Sequence, residues 1–174
     1  MNIKSFEAQI LFFNGMYGLA VAPYPGLATQ AQDLVDQKKI PEGALYTEGA
    51  SYRLAQFKNI LLEEIKEVDD ILMKLADPAT DELDILTDMA DWLGDIQVYC
   101  ASEMVRFGIP IKETTDIIME SNFSKLGANG EPIYDERGKV LKGPNYWKPE
   151  LQIRNMLFAK IADHNPVQSE DKEE

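Results

Sequence analysis

The stretch SYRLAQFKNILLEEIKEVDDILMKL, residues 51–75, decides the fold. Leu54, Leu61, Val68 and Leu75 recur every seven positions, with Phe57, Ile65 and Leu72 beside them. This period marks a long amphipathic helix. Asp77-Pro78 ends it, because a residue before proline avoids the α region. The same helix carries an acidic cluster, Glu63-Glu64-x-x-Glu67, followed by Asp69 and Asp70. At about 100° per residue, Glu64 projects into the arc of Phe57, Ile60, Leu61, Val68 and Ile71, where a core residue belongs. A buried carboxylate without a partner is costly, so the position calls for a cation, a hydrogen-bond network or a raised pKa. Glu67 lies one turn on, at the edge of the arc. Glu63 lies further round, toward the polar side.

The next segment repeats the theme. Thr80 or Asp81 caps a helix that runs to about Phe107 and stops at Gly108. Asp84, Asp88, Asp91 and Asp95 follow i, i+4, i+7, i+11 and form one stripe. That stripe is displaced from the main apolar face of Leu86, Met89, Leu93, Ile96 and Cys100, with Trp92 and Tyr99 flanking it. A run of acids on a helix is usually a solvated face, and this stripe alone suits solvent as well as a ligand. Four like charges along one face do repel, however, which favours recruitment of cations. Two acidic helices suit a hard divalent cation, and magnesium on carboxylates goes with phosphate chemistry.

Elsewhere, Phe6, Ile10, Phe13 and Tyr17 give helical spacing over residues 3–19, ended by Ala22-Pro23-Tyr24-Pro25-Gly26. A short helix is expected over residues 28–39, another over 112–124, and a last one over 151–162. Ala128-Asn129-Gly130 and Glu136-Arg137-Gly138 are turn signals, so the segment around Pro132-Ile133-Tyr134 and Lys139-Val140-Leu141 reads as a small hairpin or ordered loop. It leads into Lys142-Gly143-Pro144-Asn145-Tyr146-Trp147. Four main helices with short connections indicate an all-α, four-helix-bundle-like fold. One domain over residues 1–162 is expected, with an acidic disordered tail over 163–174.

Bulk properties remove several functions. The 174 residues are 45% hydrophobic, enough for one domain with a core, and the net charge of −13 opposes nucleic-acid binding through a basic face. Cys100 is the only cysteine and His164 the only histidine, so a disulfide within the chain, a cysteine metal site and histidine catalysis are unsupported. Charged residues interrupt any signal-peptide core at the start, and no apolar run reaches membrane-spanning length. A cytoplasmic location is the expectation.

Ser121-Asn122-x-x-Lys125 places an amide and an ammonium one turn apart at a helix end, a pair able to hold phosphate oxygens. A lysine there also serves the helix dipole. Lys139 and Lys142 add positive groups. Tyr146 and Trp147 are candidates for stacking on a base, although aromatics beside a Pro-Gly loop more often simply pack.

Together these residues resemble the all-α nucleoside-triphosphate pyrophosphohydrolases, the MazG-like family. Glu63-Glu64-Ile65-Lys66-Glu67 matches the family's E-E-x-x-E segment. Asp88-Met89-Ala90-Asp91 is similar to its E-x-x-D segment, with aspartate for the first glutamate. Asp91-Trp92-Leu93-Gly94-Asp95 resembles an L-G-D variant of the same motif, which keeps Asp95 as an alternative. Ser121-Asn122-Phe123-Ser124-Lys125-Leu126-Gly127 resembles the S-N-x-S-K-L-G of bacterial and phage members. Residues 138–146 and the stretch from Phe13-Asn14 to Pro25 are similar too, so the likeness covers about residues 5–150.

The resemblance implies Mg²⁺-dependent hydrolysis of a (deoxy)nucleoside triphosphate to the monophosphate and pyrophosphate, in nucleotide-pool sanitation, with Mn²⁺ as a substitute ion. It implies metal ligands among Glu64, Glu67, Asp88, Asp91 and Asp95, and Glu63 or Glu64 acting on the attacking water. It also implies substrate contacts at Asn122, Lys125, Lys142 and Tyr146, and a homodimer or dimer of dimers. No membrane or nucleic-acid partner is expected. Two rival readings stand beside it: a phosphoribosyl-ATP pyrophosphohydrolase, and a non-catalytic helical dimerisation module.

Overall fold

A computed structural model of the chain describes residues 5–27 and 46–164. The helix expected over 28–39 and most of the acidic tail lie outside the described residues. Five α-helices are described: α1, Phe6–Met16; α2, Tyr46–Ala76; α3, Glu82–Arg106; α4, Ile111–Phe123; and α5, Glu150–His164. The class is all-α; β pairing among the described residues is one isolated antiparallel bridge, Tyr134 with Val140. The chain divides into two compact units, Met1–Gly108 and Ile109–Glu174.

In the first unit, α3 packs against both α1 and α2. Local chemistry sets its ends. The Asp81 carboxylate accepts from Leu83 N at 2.8 Å, so Asp81 rather than Thr80 is the cap. Gly108 stops α3 with φ of 65°, a left-handed conformation suited to glycine. The segment after α1 folds onto that end. Ala22 N donates to Val105 O at 3.1 Å, and Gly26 N donates to Phe107 O at 3.0 Å, satisfying carbonyls that a helix terminus leaves unpaired.

The α1–α3 seam is polar at its centre. Asn14 is 0% exposed. Its Nδ2 donates to Ser102 O at 3.2 Å, while its Oδ1 accepts from Ser102 Oγ at 2.6 Å. Helices α2 and α3 run antiparallel, in a register recorded by side-chain pairs. Arg53 Nε donates to both oxygens of Glu103, at 3.1 and 2.9 Å. Lys74 pairs with Asp88 toward the other end. The buried face of α2 is narrower than its apolar surface: Ile71 is buried and Phe57 half-buried, but Leu54, Leu62, Ile65, Leu72 and Leu75 are exposed. The seven-residue repeat therefore extends beyond the seam that α3 covers.

In the second unit, α4 packs against α5, with Lys160 Nζ donating to Glu113 Oε1 at 2.9 Å. Between them lies the expected hairpin. Leu141 N donates to Ile133 O at 2.7 Å, and Asp135 Oδ1 accepts from Arg137 N and Lys139 N to close its turn.

A Cβ on Gly108 would sit 2.1 Å from the carbonyl oxygen of Tyr24, whereas one on Gly94, inside α3, would meet nothing within 4 Å. Gly108→Ala is expected to lower unfolding free energy by about 2–4 kcal/mol. Gly94→Ala is expected to raise it by about 0.5–1 kcal/mol through helix propensity. Urea titrations of both variants check the pair.

Candidate active site

Glu64 falls on the face of α2 that meets α3, and its residue is 8% exposed. Its main-chain carbonyl accepts from Trp92 Nε1 at 2.8 Å. This bond uses the second lone pair of a helical carbonyl. Glu64 Oε2 is buried and has no hydrogen-bond partner among the described residues. Burial, then the charges of Glu67 and Asp95, push the Glu64 carboxyl above its ordinary value; the neighbouring Tyr99 phenol opposes this, and Glu63 adds to the rise. The Tyr99 phenol is pushed up as well, by burial and by the charges of Glu64 and Asp95.

The second buried glutamate of this unit behaves differently. Glu103 is 6% exposed, but Arg53 grips it through two nitrogens and Arg106 Nε lies 3.8 Å away. Glu103 is a structural ion pair. Glu64 is buried to a similar degree and faces acids instead.

The structure sorts the remaining expected residues. Glu63, Glu67, Asp91 and Asp95 are exposed, and Asp88 is half-exposed. Glu67 and Asp95 act on Glu64 from α2 and α3. Asp88 is held by Lys74, whose ammonium also feels Asp84 and Asp70. In the second unit, Lys125 Nζ donates to Asn122 Oδ1 at 2.7 Å, and Lys142 Nζ lies 4.4 Å from the centre of the Tyr146 ring. The serines of the S-N-x-S-K-L-G stretch have a structural role. Ser121 Oγ donates to Trp147 O at 2.8 Å, and Trp147 N donates to Ser124 Oγ at 3.2 Å. Gly143 N donates to Lys125 O at 2.9 Å, and a Cβ on Gly143 would sit 1.9 Å from Leu126 O. The two motifs of this unit are thus two sides of one latch.

Trp92, the donor to the Glu64 carbonyl, reads in the sequence only as a neighbour of the acidic stripe; its partner becomes legible once its face of α3 is known to meet Glu64.

The donor chemistry suits a hard cation: a buried carboxylate oxygen without a partner, with two further carboxylates acting on it. Among the described residues no group of three or more His, Cys, Asp or Glu side chains is placed to hold a metal ion.

No family model and no curated protein matches the sequence. A solved structure from Exiguobacterium sp. 255-15, described as that of a candidate NTP pyrophosphohydrolase, is 19% identical over 92% of this chain and 98% of its own, with a TM-score of 0.49. No described helix is long and apolar enough to cross a membrane.

The raised Glu64 pKa fixes a pH dependence. A folded-state pKa above the unfolded value means that the native state binds the extra proton, so stability falls as pH rises from the ordinary carboxylate value of 4.5 through the raised one. Without divalent cations, Glu64→Gln is expected to remove this slope and to raise stability at neutral pH by about 1 kcal/mol. Thermal melts between pH 4.5 and pH 8 check it.

Proposed function

We propose that this chain is a Mg²⁺-dependent hydrolase of (deoxy)nucleoside triphosphates, releasing the nucleoside monophosphate and pyrophosphate. The observation that carries the proposal is Glu64: a buried carboxylate, one oxygen without a partner, faced by acidic charge from its own helix and the next. The MazG-like resemblance supplies the substrate class, with nucleotide-pool sanitation as the role. Glu64 would hold the ion, with the charges of Glu67 and Asp95 adding to the attraction. Asp88 and Asp91 are the ligands that motif spacing favours. Asp95 is proposed ahead of them, because its charge acts on Glu64 while Asp88 is committed to Lys74.

When bound, the cation supplies charge neutralisation on the triphosphate and activation of a water for in-line attack at the α-phosphorus. The protein's own part is positional and electrostatic. The Trp92 bond to the Glu64 carbonyl fixes the helix backbone beneath the carboxylate. The acids of α2 and α3 concentrate cations there. Glu63, exposed and adjacent to Glu64, would orient the attacking water or accept its proton. Asn122, Lys125, Lys142 and Tyr146 are proposed as substrate-binding residues on the strength of the resemblance. The exposed apolar positions of α2 are proposed to be covered in a homodimer.

A nucleotide panel assayed with Mg²⁺ for pyrophosphate tests the reading. Release from at least one nucleoside triphosphate is expected, with loss on chelation. Glu64→Gln and Asp95→Asn are each expected to lower kcat/KM by about 100-fold or more, against about threefold for Asp88→Asn. Release from phosphoribosyl-ATP alone selects the first rival. No pyrophosphate from any nucleotide selects the binding module. Light scattering of the full chain is expected to give twice the 19.6 kDa chain mass or a multiple of it.

A further inference from the structure

Helix α2 carries a second stripe beside the one that meets α3. Ala55, Lys58, Leu62, Ile65, Asp69 and Leu72 are all exposed, with Leu62, Ile65 and Leu72 at 45%, 55% and 54%. Their spacing alternates three and four residues, which is the seam of a coiled coil. Its two charged members, Lys58 and Asp69, have no ion-pair partner among the described residues.

The stripe is self-complementary about the midpoint between Leu62 and Ile65. Lys58 stands four residues before Leu62, and Asp69 four residues after Ile65. Two copies of α2 laid antiparallel across a two-fold axis at that midpoint set Leu62 against Ile65 of the other copy. Lys58 then meets Asp69, and the small Ala55 meets the large Leu72. The same patch faces itself, as a two-fold interface requires. A parallel pairing would set lysine on lysine and aspartate on aspartate. Like charges facing one another are unfavourable, so the two charges select the antiparallel arrangement.

We propose that this face of α2 is the surface on which a second copy of the chain docks, antiparallel, with Lys58–Asp69 ion pairs between the copies setting its register. Polar residues at seam positions of a coiled coil specify register and orientation in this way, at some cost in stability. The inference rests on the homodimer reading above and on no part of the hydrolysis chemistry.

Sedimentation velocity of the full chain reads the dimer dissociation constant for the wild type, Lys58→Asp, Asp69→Lys and the variant carrying both changes. Each single change creates like-charge pairs across the two-fold axis and is expected to weaken dimerisation by about 100-fold. The double change exchanges the charges and is expected to return affinity to within about threefold of the wild type. A monomeric wild type overturns the homodimer reading and this inference with it. A dimeric wild type overturns the inference, and moves the dimer contact elsewhere, if its single variants associate within about twofold of it or its double variant associates as weakly as they do. If the single variants fail to fold, carbodiimide cross-linking of the wild type decides. Lys58 and Asp69 lie eleven residues apart, about 16 Å along one helix, too far for a direct amide bond within a chain. A Lys58–Asp69 cross-link is therefore expected in the dimer band, and its absence there overturns the proposal.

Discussion

The antiparallel register of α2 against α3 is the constraint on which the first unit depends. Arg53 on Glu103 pins one end of it, Trp92 on the Glu64 carbonyl the middle, and Lys74 on Asp88 a point further along. These contacts join a specified residue of one helix to a specified residue of the other. A shift by one turn would withdraw Glu103 from its arginine and set it, charged, in an apolar seam. Such loss of a buried partner costs about 3–5 kcal/mol, so the register is strongly enforced. The candidate site inherits its geometry from this pairing.

The two buried glutamates show how similar burial serves opposite ends. Glu103 is surrounded by cationic groups and contributes to the fold. Glu64 is surrounded by acids and opposes the fold in the absence of a counter-ion, since desolvation and like charge both disfavour its ionised form. The energetic cost and the chemical capacity are one property of the site.

In the second unit, residue patterns that invite a functional reading have a structural explanation as well. Ser121, Ser124 and Gly143 hold the 142–147 segment against the end of α4, and the absence of a side chain at Gly143 lets two backbones touch. Asn122 and Lys125 project from the same turn but bond to each other, exposed or half-exposed. The latch therefore presents polar groups on a rigid turn, the arrangement in which a binding residue loses least entropy.

The sequence by itself determined the helices and the anomaly. Periodicity, the Asp81 cap, Asp77-Pro78 and Gly108 are local signals that located both ends of α3 and the end of α2 closely, whereas α2 starts at Tyr46, five residues ahead of the expected Ser51. The core position of Glu64 followed from the arc of Phe57, Ile60, Leu61, Val68 and Ile71. Only the tertiary structure decided which acid of α3 faces Glu64. Asp84, Asp88, Asp91 and Asp95 are equivalent along one helix, and the interhelical register that distinguishes Asp95 from Asp88 is set by Arg53, Trp92 and Lys74, far apart in the chain. The same holds for Trp92, because a hydrogen bond between residues 28 positions apart leaves no trace in the spacing of either helix.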